Sequence, residues 1–377
     1  MSDPASNFFQ TLVAQASEAT QVLVGNTTFL ENVFTDYQPV VATPGETLNV
    51  LVPNSVSASV TDIGTGPFVL NNIGTSTTPM VFNNHPAFSY NIADFSQFNS
   101  PEMLRELFVD PGIKGIAEYV NSKVAALFTP ANFNAAPPVV SAASGVLQVS
   151  DATSARTILS TAKVPVRDFP NMFLTTSPAV YGGMINNTNW TANSQVGFQL
   201  AGQIRQQALL GQQLGAVTSE DQAMPYQASV NLAGGTVTFT NGSPNITNTN
   251  SLFASLVPGQ WIQLSTDVTN TLYQIKTITS NDAAVLATDY TGVTGTATAQ
   301  ITSYTSALYH RYAVALGLRL LPPPDPQVTK SAIVFYKKLP IFITLAYIAQ
   351  NRGYMLAFDT AYATQVVRPN MGQIILS

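Results

Sequence analysis

The chain contains no cysteine, which excludes disulfides, thiol nucleophiles and thiolate-held metals. It has two histidines, His85 and His310. Each reads as a lone side chain held by a nearby charge or hydrogen bond, not as a catalytic or metal-ligating group. Charge is the larger deficit. Charged residues make up 9% of the chain, against roughly 25% in typical soluble domains. The formal net charge of −5 with 15 Lys+Arg and a pI near 4.9 exclude a protein that grips DNA through many phosphates. Long apolar runs are missing too. The strongest, "IFITLAYIA" from Ile341 to Ala349, is about half of the roughly 20 residues a spanning helix needs, so no membrane partner is expected. The absence of cysteine fits an intracellular origin, and the first residues, "MSDPASNFF", lack the basic start and apolar core of a secretory signal.

Asn, Gln, Thr, Ser and Ala fill the space that charge vacates. A length of 377 residues is enough for two or three domains, and 45% hydrophobic content with 20 Phe and 14 Tyr gives plenty to bury. Disorder is therefore excluded. A chain that is neither disordered nor membranous, yet so poor in charge, is expected to turn much of its surface toward copies of itself.

Residues 1–30 read as an arm with a short helix around Phe8 to Ala19. Pro44-Gly45 marks a turn, and Leu48, Val50 and Val52 then alternate with Thr47, Asn49 and Leu51 as a strand. Residues 54–80 are rich in Ser, Thr, Gly and Asn, and a second extended piece runs from Met80 to Ile92. Together they predict a protruding hairpin, with a connection long enough to be functional. In "NSPEMLRELFVDPGIKGIAEYVNSKVAALF", Ser100 and Asp110 are placed as N-caps before proline. Ile113, Ile116, Ala117, Val120, Val124 and Leu127 form one helical stripe, predicting a helix over 111–128, about 27 Å long at 1.5 Å per residue. A short helix at about 150–163, a buried strand at Met172 to Thr175 and a second amphipathic helix at about 193–214 follow.

The texture then changes. Residues 229–303 carry four charges: Asp267, Lys276, Asp282 and Asp289. Val237 and Phe239 between threonines after Gly234-Gly235, then Trp261 to Leu264, Leu272 to Ile278, Ala283 to Ala287 and Ala297 to Ile301, predict a small all-β sandwich or barrel. Beyond it "ALYHRYAVALGLRLL" reads as a helix ended by Pro322 to Pro326, "LPIFITLAYIAQ" and "GYMLAFD" as adjacent strands, and the last 15 residues as extended.

Chemistry is thinly represented. Glu102/Glu106 and Glu220/Asp221 are general-acid candidates by residue type alone, and Glu102/Glu106 beside Arg105 is an ordinary solvated helix face. Gly64 to Gly66 lacks the strand-to-helix setting and third glycine of a dinucleotide site. Lys337-Lys338 and Arg319 read as solvated charge rather than as a nucleic-acid contact. Enzyme chemistry needs ionisable groups gathered in a cleft; catalytic, cofactor and metal residues are each read as none, and the chain reads as a structural protein. The rival reading is a fibre or surface protein that binds carbohydrate through Trp261, Tyr273 and Tyr290.

The order of segments adds a resemblance. "FTDYQPVVATPGETLNVLVP" resembles the lead into the extended hairpin of tailed-bacteriophage major capsid proteins. "PGIKGIAEYVNSKVAALF" is similar to their spine helix. "FDTAYATQVVRPNMGQIIL" is similar to their C-terminal return, with Asp359, Tyr362, Arg368 and Pro369 in place. "LVPGQWIQLS" and "AAVLATDYTG" resemble the β module of short-tailed-phage coats. Ala363 stands where the family often has glycine, and Gln260 where the module often has an acid.

The resemblance implies an α+β, HK97-like fold with an inserted all-β domain at 229–303. It implies an N-terminal arm (1–44), an extended loop (45–95) and a peripheral domain with its spine helix (96–150). An axial domain (151–228 and 304–352) and a C-terminal return (353–377) complete it. It implies self-assembly into pentamers and hexamers, with scaffolding, portal and cement or decoration proteins as partners. The expected location is the virion, assembled in the bacterial host cytoplasm. A near-neutral or weakly basic inner face would contain double-stranded DNA without gripping it.

Overall fold

The computed structural model describes residues 27–41, 47–53, 75–92, 108–141, 145–191, 210–232, 234–267, 271–321, 329–348 and 353–377. The helix expected around Phe8 to Ala19, the N-cap at Ser100 and the Glu102/Glu106 pair lie outside them. Most of the helix expected at 193–214 does so too, and its far end, Gln212–Gln213, is a strand.

Along the chain, helix α1 (Phe29–Asn32) precedes strands β1 (Phe34–Val41), β2 (Thr47–Pro53), β3 (Thr75–Val81) and β4 (Ala87–Ile92), then helix α2 (Asp110–Ala125). Next come β5 (Val139–Val140), α3 (Val149–Thr161), β6 (Met172–Thr176), α4 (Pro178–Asn186), α5 (Thr188–Thr191), β7 (Gln212–Gln213) and β8 (Ala216–Glu220). A run of strands follows: β9 (Tyr226–Asn231), β10 (Val237–Phe239), β11 (Asn245–Asn248), β12 (Trp261–Leu264), β13 (Tyr273–Ser280), β14 (Ala283–Leu286), β15 (Gly295–Ala297) and β16 (Ala299–His310). The chain ends with β17 (Val314–Leu320), β18 (Thr329–Tyr336), β19 (Leu339–Ile348), β20 (Gly353–Asp359), β21 (Ala361–Val366) and β22 (Gly372–Leu376).

The chain divides into two units, one of residues 1–23, 35–117 and 314–367, the other of 24–34, 118–313 and 368–377. In the first, an antiparallel sheet runs β18-β19-β20-β4. Residues 329–348, expected with the axial segment, thus share a sheet with 87–92 and 353–359. The glycines of α2 let the helix approach this sheet. A Cβ on Gly112 would lie 2.7–2.9 Å from carbons of the Phe358 ring, and one on Gly115 would touch Phe88. Phe358 stacks on Phe88 at 5.3 Å between centroids, so the ring has nowhere to retreat. Gly112→Val is expected to cost about 2–3 kcal/mol through overpacking. A lowered denaturant midpoint checks this; an unchanged midpoint contradicts it.

The predicted stripe on α2 is in place for Ile113, Ile116, Ala117, Val120 and Val124, which are buried. The helix ends at Ala125 rather than at 128, so Leu127 lies in the turn beyond it, half-buried. The expected N-cap, Asp110, is instead the first α-helical residue, because a π turn at 108–109 precedes it.

In the second unit, β16 organises the sheet. Its C-terminal half lies between β6 and β22, with His310 opposite Met172 and Tyr309 opposite Gly372. Its N-terminal half pairs with β9 and β12. β6, buried along its whole length, also runs parallel to β8. Such a near-continuous apolar run is what a strand covered on both faces needs. Helix α3 begins in a capping box between Gln148 and Asp151, which satisfies amide donors the helix cannot. It packs with α4 and Trp190 over a core containing Leu159, Met172, Leu174, Met184, Leu308 and Ile375. A second core fills the β10–β16 stretch, around Val237, Phe239, Phe253, Ile262, Ile275, Leu286 and Ile301. The strands expected at Val237–Phe239, Trp261–Leu264, 272–278 and 283–287 are present as β10, β12, β13 and β14, while the one expected at 297–301 is divided between β15 and β16 at Thr298.

Two expectations are corrected. Residues 307–321, read as a helix, form the end of β16, a short 3-10 turn at Arg311–Ala313, and β17. Leucine and alanine favour a helix locally, but Thr305 to His310 are all buried, leaving no polar face, and the flanking strands claim their backbone groups. The second extended piece is not one strand either. β3 ends at Val81, and β4 joins a different sheet from β3. Residues between them turn the chain, with Asn84 bridging Tyr362.

Candidate functional site

The hairpin forms as its composition suggests. β2 and β3 pair antiparallel from Thr47–Val81 to Pro53–Thr75 and make a two-stranded sheet of their own. Neither strand contains a charge. Thr47, Asn49, Thr77, Pro79 and Val81 are exposed, while Met80 is buried beside Gly317, where a Cβ would collide with its tip. A lone two-stranded ribbon is at best marginally stable in water, and its edges, which pair with no other strand among the described residues, are templates for another chain. A second apolar surface lies on the four-stranded sheet. Ile333 and Phe335 are 39% and 50% exposed and lie on one face of β18, beside the buried Phe342 opposite Ile333. Tyr347 on the same sheet is 58% exposed and meets Tyr354 edge-on. Exposed apolar surface of this kind marks contacts more often than solvent-facing skin.

The ionisable groups are held in small nodes. Asp221 is fully buried. Its carboxylate accepts hydrogen bonds from the Thr28 amide at 2.9 Å, the Thr28 hydroxyl at 2.7 Å, Asn121 Nδ2 at 2.9 Å and the Ala223 amide at 2.8 Å. Those donors offset the desolvation of the charge, and they fasten residue 28 to helix α2. Phe29, the next residue, stacks on Phe128 at 4.9 Å, and Phe128 in turn meets Tyr309 at 4.6 Å. Burial pushes the Tyr309 phenol well above its ordinary pKa. A cleft of about 240 Å³ beside Asp221 is lined by Thr27, Glu118, Asn121 and Ser122 among others.

Arg319 is 1% exposed. Its guanidinium donates to Leu318 O at 2.9 Å, reaches Asp36 at 3.5 Å and covers the Phe82 ring at 4.8 Å. The expectation of a solvated Arg319 is thereby corrected, because β17 is buried and the charge is paired inside. Lys337 occupies the turn between β18 and β19 in a left-handed conformation, with its ammonium over Tyr336.

Both histidines have carboxylate partners. His85 lies between β3 and β4, not within a hairpin strand, and its Nε2 is 3.1 Å from Asp359. Burial raises the Asp359 pKa, and the His85 contact opposes that rise. His310, the last residue of β16 rather than part of a helix, meets Asp168 at 3.3 Å. Hydrogen bonds from Asn171 and then His310 hold the Asp168 carboxyl below the usual range.

Of the sequence candidates, Glu220 and Asp221 are neighbours at the end of β8, but Asp221 is a saturated structural acceptor rather than a proton donor. Trp261, Tyr273 and Tyr290 are buried. The rings of Tyr273 and Tyr290 meet each other at 5.0 Å inside the second core, so these aromatics offer no stacking platform to a sugar. Among the described residues no group of three or more His, Cys, Asp or Glu gathers as a metal site, and no helix is long and apolar enough to cross a membrane. The Asp221 and Arg319 nodes were missed by sequence reasoning. A lone charge inside an apolar run, as in "GLRLL", is the signal that could have found the second of them.

No family model matches the sequence, and no curated protein does. Solved structures do match. The capsid structure of the cyanophage P-SCSP1u superposes with a TM-score of 0.53 at 12% identity, covering 94% of this chain and 89% of that one. A structure from Mycobacterium phage Che8 gives 0.51 at 11% identity, covering 94% and 93%. The chain has the α+β fold of a phage capsid subunit.

Proposed function

We propose that this chain is the major capsid protein of a tailed phage, a non-enzymatic subunit whose copies join in rings of five and six and close an icosahedral shell around double-stranded DNA. The observation that carries this reading is the capsid fold across 94% of the chain. The scarcity of charge then has a physical cause. A coat subunit buries several faces against neighbours, and each unpaired buried charge carries a large desolvation cost. Asn, Gln, Ser and Thr hydrogen-bond across such joints without it. Heterologous contacts that close on themselves give rings, and the nearly uncharged β2–β3 hairpin, with Asp62 as its one charge, reaches over an adjacent subunit with the arm before it adding overlap.

In this reading the 229–303 strands are an inserted domain that stabilises each protomer and borders capsomer contacts. Residues 1–44 form the arm and 45–95 the extended loop. Scaffolding, portal and cement proteins are its partners, the virion its place, and the host cytoplasm its site of assembly. Size-exclusion chromatography with light scattering tests the ring step. Particles of five or six times the 40.2 kDa chain mass, or larger shells, are expected. A trimer would favour a fibre instead.

A further inference from the structure

The main sheet of the second unit is electrically polarised along its strands. The registers place the start of β6 at Met172, the start of β8 near Val217, the end of β16 at His310 and the start of β22 at Gly372 side by side. The segments that enter or leave these four ends carry Lys163, Arg167, Arg311 and Arg368, four of the 15 Lys+Arg in a chain of net charge −5. The opposite ends lie at Thr176, Glu220 and Leu376. There Glu220 and Asp221 terminate β8, and the adjoining strand-end segments, 177–178, 222–225, 303–304 and Ser377, contain no Lys or Arg.

The basic end is only partly neutralised. Asp168 is engaged by Asn171 and His310. Arg311 donates to the main-chain carbonyls of Glu31 and Val33 and makes no ion pair among the described residues; the exposed Glu31 is an acid nearby. The Arg368 amide bonds Ala313 O, which brings it beside Arg311, and its guanidinium reaches the Met371 sulfur at 3.9 Å, with no ion pair among the described residues. Lys163 and Arg167 are exposed and make no ion pair among the described residues. The turns at 164–168, closed by Val166 N to Val164 O and Asp168 N to Pro165 O, hold the two close together.

We propose that this end of the sheet is the surface that meets the phosphate backbone of double-stranded DNA. The proposal rests on the shell reading and names the face that turns to the contents. A cluster of about four cations per subunit gives sequence-independent, salt-labile attraction. That suits a wall that must hold DNA near it while letting it move.

Fluorescence anisotropy of the full chain with a random-sequence DNA duplex, titrated in salt, tests this. The Lys163→Gln/Arg167→Gln variant should show a slope of log affinity against log salt shallower by about 2. Between about 50 and 200 mM salt the parent should then lose on the order of tenfold more affinity than the variant. A Lys123→Gln/Lys276→Gln variant removes equal charge elsewhere and should retain the parent slope. An unchanged slope in the first variant, an equal loss in the second, or binding to polyglutamate instead of DNA would overturn the proposal. Circular dichroism confirms that both variants fold. Shells that form while the slope is unchanged overturn this inference alone, whereas failure of the parent to form shells overturns the function on which it rests.

Discussion

Replacing residues 54–74 with Asn-Gly should abolish shells while leaving the protein folded. Pro53 and Thr75 are directly opposed, so a two-residue turn of this type spans the gap between the strands. The loss is then expected to fall on contacts between subunits rather than within one. Electron microscopy reports shells, and far-UV circular dichroism with a thermal melt reports the fold. Shells at parental yield would sink the role given to the hairpin.

Asp221→Ala should have the largest effect on stability. The substitution leaves the Thr28 and Ala223 amides and Asn121 Nδ2 buried without the carboxylate that each of them bonds. Stranding buried donors costs about 1–3 kcal/mol apiece when no water reaches them. Partial relief through the adjacent cleft brings the expected total to about 3–5 kcal/mol, a fall of roughly 10 °C in Tm. Asp221→Asn, of nearly the same shape, keeps an acceptor but turns an amide toward donors, and should fall between the two. A melt of Asp221→Ala within a degree or so of the parent would show that the node contributes little.

Much of this fold was legible because single elements carry their own signal. The α2 stripe from Ile113 to Val124, the alternation of Leu48 and Val50, and the adjacent β19 and β20 all follow from local periodicity. The segment 307–321 was not legible. Apart from Arg311 and Tyr312 at its turn, most of it is buried, and a largely apolar run does not declare its period. The break between β3 and β4 was hidden for a different reason. Both pieces are extended, and what separates them is the partner each strand finds, β2 for one and β20 for the other.

The buried nodes followed the same rule. Asp221 sits in "SEDQAMP", a stretch that looks like solvated turn, and only Thr28 and Asn121, 193 and 100 residues away, make it interior. Arg319 gave more warning, since a single cation among leucines has few reasons to be there except pairing. The aromatic trio Trp261, Tyr273 and Tyr290 looked like a surface because composition does not say which face of a strand is inward.

Electron microscopy of the purified full-length protein, with and without an added scaffolding protein, tests the whole account most directly. Closed shells of uniform diameter are predicted. Particles that remain single 40.2 kDa chains at every protein concentration and salt tried, with scaffold present, would contradict it.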